Sequence, residues 1–180
     1  MSANDRALIV YETMFGNTER IARAIRDGLR QYVPAETLPV NRAPDVVPDD
    51  VRLLVVGGPT HAFSMSRLST RQEAWKQGDV VMPVEVGIRE WLGALKPASG
   101  PDALRVTTFD TRIAKVRRLP GSAARSAAKL LRRRGYQMLG TSGSFFVDDT
   151  TGPIDDAEIE RAERWGQELG RLLTGSAQVV

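Results

Sequence analysis

A continuous apolar run, Ala7–Tyr11, gives way at Thr18 to residues spaced for a helix, with the polar loop ETMFGN between them. A short run without polar–apolar alternation suits a strand buried on both faces, and such strands belong to parallel sheets covered by helices. Ile21, Ala22, Ile25, Leu29 and Tyr32 then recur at helical spacing over Thr18–Tyr32, and Pro34 ends the helix. The same alternation continues down the chain. ETLPV is a second, weaker strand, assigned to a sheet edge because Pro39 has no amide to donate. NRAPDVVPDD is a proline-bearing loop with room for a helical turn. Val51–Val56 is a strong strand halted by GGPT, and Ile88–Leu95 is the end of a helix closed by Pro97 and Gly100. Leu104–Phe109 is a strand, Ser122–Arg134 a helix with Gly135 as its C-cap, and Tyr136–Val147 holds a strand interrupted by Gly140 and Gly143. The last helix opens at PIDD and runs through Ala162, Trp165, Leu169, Leu172 and Leu173, its acids clustered where the helix dipole favours them. Strands alternating with helices in this way indicate an α/β protein with a parallel sheet covered on both faces. At 180 residues, 42% hydrophobic and 26% charged, the chain suits one globular domain, residues 1–180.

The absence of cysteine excludes disulfides, thiolate catalysis, zinc–thiolate sites and cysteine-ligated clusters. His61 is the single histidine, so a histidine-rich metal site is excluded too, and no metal is expected. Redox chemistry here would need a borrowed cofactor. No apolar run approaches the roughly 18–20 residues of a membrane span, and MSANDRALIV lacks the layout of a secretory leader. The expected compartment is therefore the cytoplasm. Net charge is +3 but uneven: Arg112, Lys115, Arg117, Arg118, Arg125, Lys129, Arg132, Arg133 and Arg134 follow one another without an acid, whereas Asp148–Glu168 is rich in acids. The basic run reads either as a solvated helix face or as a docking face for an anionic ligand or acidic partner. With little aromatic interleaving, nucleic-acid binding is not expected.

Ligands of open α/β sheets bind beyond the carboxyl ends of the strands. The informative residues are thus Glu12–Thr18, Gly57–Ser66 and Asp110–Lys115. In the first loop, Thr13 and Thr18 offer hydroxyls, Gly16 lets the backbone bend closely, and the amides near Asn17, Thr18 and Glu19 open a helix. No lysine follows the glycine and no G-x-G-x-x-G is present, so a single monoester phosphate fits better than a triphosphate or dinucleotide. The alternative is that Asn17 or Thr18 simply caps the helix.

IVYETMFGNTERIARAI resembles the flavodoxin signature in its aliphatic pair Ile9–Val10, aromatic Tyr11, then Thr13, Gly16, Thr18, Ala22 and Ile25. The resemblance implies a flavodoxin-like three-layer sandwich, a five-stranded parallel sheet of order 2-1-3-4-5 with helices on both faces. It also implies FMN as cofactor, its phosphate held by Thr13, Met14, Phe15, Gly16, Asn17 and Thr18. VVGGPTHAFSMS is similar to the loop that borders the flavin ring in flavodoxins and related quinone reductases, which extends the site to Pro59, Thr60, His61, Ala62 and Phe63. The third loop departs from the pattern. Where flavodoxins stack a tyrosine on the ring, this chain has Phe109, Asp110, Thr111 and Arg112. Either Phe109 packs in the core or the outer ring face is open to a substrate. Arg112 or Lys115 near the ring would stabilise developing negative charge and ease flavin reduction.

Met65–Gly87 is long for a connection between strand and helix. It reads as an irregular approach to the helix or as a flap presenting Arg67, Arg71 and Trp75 to a substrate. The expected function is electron transfer through bound FMN, from a donor to an acceptor, with a redox protein or NAD(P)H and a quinone-like acceptor as partners. The alternatives are an NAD(P)H-dependent quinone-type reductase and a non-flavin binding module on the same scaffold. No residue is assigned a catalytic role.

Overall fold

Elements follow one another as β1 (Arg6–Tyr11), α1 (Asn17–Leu29), β2 (Ala35–Pro39), β3 (Val51–His61), β4 (Ser64–Met65) and α2 (Leu68–Gln77). Then come α3 (Ile88–Ala94), β5 (Arg105–Ile113), α4 (Ala123–Arg133), β6 (Gln137–Met138), β7 (Gly143–Val147) and α5 (Asp156–Ser176). The structure, a computed structural model, describes residues 5–96 and 104–176; the expected helix stop at Pro97 and Gly100 lies outside them.

β1, the apolar run that opens the chain, lies between β2 and β3, parallel to both. β3 pairs with β5, and the order is β2-β1-β3-β5-β6. The fifth position is shared. β6 runs beside the start of β5, from Arg105↔Gln137, and β7 beside its end, from Phe109↔Gly143 to Ile113↔Val147. Gly140, left-handed at φ 62°, makes the break between them. The sheet is thus the expected 2-1-3-4-5 arrangement with a divided last strand.

Two strands run further than their sequences suggest. β3 continues through GGPT to His61, and β5 through Asp110–Ile113, because the two stay paired as far as Pro59↔Thr111. The glycines permit this: a Cβ on Gly57 would sit 2.0 Å from the Phe109 ring, and one on Gly58 2.9 Å from Ile88. Pro59 is tolerated because β1 pairs with β3 only as far as Tyr11↔Gly57, so no ladder partner asks for its missing amide. Beyond it, β3 and the unexpected β4 form a tight hairpin, His61↔Ser64, whose central residues Ala62 and Phe63 are both left-handed.

α1 and α5 cover one face of the sheet, and α3 and α4 the other. Gly28 and Gly166 bring the first pair into backbone contact: a Cβ on Gly28 would meet the Glu163 carbonyl at 2.1 Å, and one on Gly166 the Ile25 carbonyl at 2.3 Å. Beneath α5, the rings of Phe109, Phe145 and Trp165 meet edge-on at 6.0–6.4 Å between centroids. Among the described residues no helix is long and apolar enough to cross a membrane.

Candidate functional site at the carboxyl edge of the sheet

Helices begin at the carboxyl edge of the sheet, and α3 and α4 have their first amides taken by side chains from the strands beside them. The Glu12 carboxylate, at the end of β1, accepts from the Ile88 amide at the start of α3 at 2.9 Å. Asp110 of β5 accepts from Ala124 of α4 at 2.9 Å, and the Thr60 hydroxyl from Ala123 at 2.9 Å. α1 differs. Its N-cap is Gly16, left-handed at φ 88° and without a side chain, so no side chain caps the helix. Among the described residues no acceptor reaches the amides of Asn17, Thr18 and Glu19. The first-turn reading as a plain side-chain cap on Asn17 or Thr18 therefore gives way to a Gly-capped end with free donors.

The loop before α1 is held from several sides. Thr13 Oγ1 accepts from the Gly16 amide at 3.0 Å, closing the turn. Thr18 Oγ1 lies 2.7 Å from Thr111 Oγ1, and Asn17 Nδ2 donates to the Thr151 carbonyl at 3.2 Å. On the outside, the Val81 amide donates to the Met14 carbonyl at 2.8 Å, and Met82 Sδ lies 3.4 Å from the Thr13 amide. The segment after α2 thus buttresses the loop.

A cleft of about 70 Å³ opens over this edge, smaller than the roughly 300–1,000 Å³ typical of small-molecule sites. Thr13, Met14, Phe15, Asn17, Thr18, Pro59, Thr60, His61, Thr111 and Arg112 all line it, joined by Ile113, Val147 and Thr150, which sequence reasoning did not select. The last two come from the end of β7 and the loop after it, too far along the sequence for any local pattern to point to them. Five anticipated residues lie elsewhere. Gly16 turns the backbone beneath the cleft, while Ala62 and the half-exposed Phe63 form the hairpin tip. Phe109 is fully buried in the aromatic cluster, because alternation along β5 turns it toward α5. Asp110, on the opposite face, is fully buried as the cap of α4 and also accepts from Ser144 at 2.8 Å.

Arg112 and His61 set the polarity of the cleft. The Arg112 guanidinium donates to the Val116 and Leu119 carbonyls at 2.9 and 3.1 Å, while its buried Nε has no acceptor among the described residues. Burial, helped by the positive charge of Arg71, holds the His61 imidazole below its usual pKa, so it is neutral at pH 7.

Behind the loop lies a buried polar network that the sequence did not announce, since Glu12 occupies an unconstrained position of the motif. Ser66 Oγ donates to Glu12 at 2.5 Å, and Arg71 Nη1 to Ser66 at 2.8 Å. Arg71 also donates to the Val84 carbonyl at 2.6 Å and pairs with Glu90 at 3.2 Å. Arg71 is fully buried, which corrects the expectation that it faces a substrate; Arg67 and Trp75 are the exposed members of that set. Burial raises the pKa of Glu12, against the opposing hydrogen bonds from Ser66 and Ile88 and the positive charge of Arg71. Glu90 is pushed up by partial burial but ends below the usual range, because Arg71 and the Gly87 amide bond to its charged form.

Structural comparison places this edge in a known setting. The chain superposes on a flavodoxin from the domain Archaea with a TM-score of 0.61 and 15% identity, over 94% of this chain and 99% of the other. Oxidised flavodoxin 2 from Bacillus cereus matches at 0.65 and 16%, over 92% and 98%. The fold is that of the flavodoxins. The same fold matches part of the rubredoxin oxygen:oxidoreductase of the anaerobe Desulfovibrio gigas, at 0.62 and 15%, over 96% of this chain but 37% of that one. No protein-family model matches the sequence, and no curated protein matches it significantly. On this flavodoxin-type sheet, the Thr13–Thr18 loop lies where β1 parts from β3, at the carboxyl edge where such sheets bind ligands.

Proposed function

We propose that this chain binds FMN at the carboxyl edge of the sheet and carries electrons through it. The observation that carries the reading is the contrast between helix starts. Glu12, Asp110 and Thr60 satisfy α3 and α4, whereas α1 keeps its amides and the positive end of its dipole open toward the cleft. A phosphate monoester supplies the acceptors those amides lack. In this reading the amides of Asn17, Thr18 and Glu19 and the hydroxyls of Thr13 and Thr18 hold the phosphate, and Gly16 keeps the backbone clear of it. Pro59, Thr60, His61, Thr111 and Ile113 border the ring, with neutral His61 able to share a hydrogen bond without adding charge. Bound FMN supplies one- and two-electron chemistry, and the chain supplies binding, orientation and the electrostatic setting. The similarity in fold to flavodoxins supports the same reading.

Titration into free FMN, followed by flavin fluorescence and the visible spectrum, tests it. Quenching with a shifted spectrum is expected for the wild type and its loss for Thr13→Ala/Thr18→Ala. No binding by the wild type would return the chain to a non-flavin binding module.

The burial of Phe109 favours an NAD(P)H-dependent quinone-type reductase as a second reading. Among the described residues β5 offers the cleft no aromatic ring, so a flavin there keeps one face open to a hydride donor. Flavin-dependent NAD(P)H oxidation with a quinone acceptor separates it from a carrier that works only between proteins.

A further inference from the structure

We infer that the surface formed by α4, the loop before it and the β3–β4 hairpin tip docks an acidic partner protein beside the cleft. The inference rests on the proposed redox reading for its purpose, but its evidence is separate. From Thr111 to Val147 the chain contains no Asp or Glu. Arg125, Lys129, Arg132 and Arg133 recur along α4 and are all exposed, while Ala124, Ala127, Ala128 and Leu131 fill its buried side. Lys115, Arg117 and Arg118 extend the same charge across the preceding loop, also exposed. Among the described residues none of these seven cations forms an ion pair. On the α1–α5 side, by contrast, Arg23 pairs with Glu19 and Arg164 with Glu160.

Two further features make this a surface for a protein. First, it carries apolar side chains at the end near the cleft. Phe63 and Leu119 are each 47% exposed, and their segments touch, since a Cβ on Gly121 would lie 2.6 Å from the Phe63 carbonyl. Aromatic residues and arginine are both enriched in protein interfaces. Second, the surface is held in shape. Arg112 fixes the loop through the Val116 and Leu119 carbonyls, Thr60 takes the first amide of α4, and Ser64 lies 3.0 Å from Ser126. The left-handed pair Ala62–Phe63 shapes the hairpin tip on which the Phe63 ring is half-exposed. The cations of α4 spread along its length, wider than a small anion needs. Opposed charge on the partner would raise the rate of encounter and orient its redox centre toward the cleft.

The test uses an acidic [2Fe–2S] ferredoxin, fluorescently labelled, as the probe. Its binding to the full chain is followed by anisotropy, with and without FMN. Binding is expected to weaken by at least about tenfold between roughly 20 and 300 mM ionic strength. Arg117→Glu/Arg125→Glu/Lys129→Glu is expected to weaken it at least about tenfold at low salt, and Phe63→Ser about threefold or more. Arg20→Glu/Arg23→Glu/Arg164→Glu, with the same change in net charge on the α1–α5 side, is expected to stay within about twofold. Thermal unfolding of each variant confirms that it folds. Equal losses in the two triple variants, salt-independent binding, or tighter binding to a single-stranded oligonucleotide or to phosphatidylglycerol vesicles would overturn the inference. Because the anisotropy needs no flavin, failure here is distinct from failure to bind FMN.

Discussion

Thr18 of α1 and Thr111 of β5 lie 93 residues apart in the chain, yet their hydroxyl oxygens are 2.7 Å from one another and both are buried. This contact ties the start of the helix to the neighbouring strand and leaves Thr18 one proton whose direction Thr111 can set. If Thr111 donates, the Thr18 proton is free for an anion on the loop.

Thr111→Val should therefore weaken FMN binding without opening the loop, by about 2- to 10-fold for one neutral hydrogen bond. Thr18→Val removes the donor itself and should cost more, about 10- to 100-fold for a bond to a charged group. Dissociation constants from flavin fluorescence check both, and equal losses would show that the pair acts only as packing.

Gly16 stands at φ 88° with open space where a Cβ would go, so replacing it meets no neighbour and only the backbone objects. Gly16→Ala should destabilise the chain by about 1–2 kcal/mol, and Gly16→Asn by less, since Asn enters the left-handed region more readily. Urea unfolding of the two variants measures the difference.

Burial raises the pKa of Glu12 above its unfolded value, so between the two values the folded state holds the proton that the unfolded state has released. Stability attributable to Glu12 is then present below its unfolded pKa of about 4.3 and falls as pH rises toward the folded value. Glu12→Gln cannot titrate. Its melting temperature minus that of the wild type should become more positive from about pH 4 to about pH 8. A difference that stays flat over that range would contradict the raised pKa.

Gly28 and Gly166 let α1 and α5 touch through their backbones, with carbonyls 2.1 and 2.3 Å from where a Cβ would sit. Gly28→Ala must separate the helices and should cost about 1–3 kcal/mol, a fall of roughly 2–12 °C in melting temperature. Calorimetry should find the loss in this variant and little change in Gly93→Ala, where the added carbon meets nothing.

Much of this molecule could be read from local pattern. The apolar runs at Ala7–Tyr11 and Val51–Val56 are strands because they lack alternation, and they occupy two of the three inner positions, where both faces are covered. Thr13, Gly16 and Thr18 pointed to the loop that lies at the carboxyl edge, since a left-handed glycine before an amphipathic helix is a short-range feature. The GGPT stop at the end of β3 misled for a physical reason. Glycine and proline break an isolated strand, but here Phe109 and Ile88 fill the space the missing Cβ atoms leave, and β5 supplies the ladder.

What sequence by itself determined was the order of strands and helices and the chemistry of the first loop, both products of contacts within a few residues. Only the tertiary structure decided where the side chains of that edge point. Alternation along an extended β5 sent Phe109 to the core, Asp110 to α4 and Arg112 to the loop that it braces. Only the placement of the start of α3 beside the end of β1 made Glu12, at an unconstrained position of the motif, the acceptor for a helix 76 residues away. Hydrogen bonds and burial of that kind depend on which distant segments meet, and no local pattern records it.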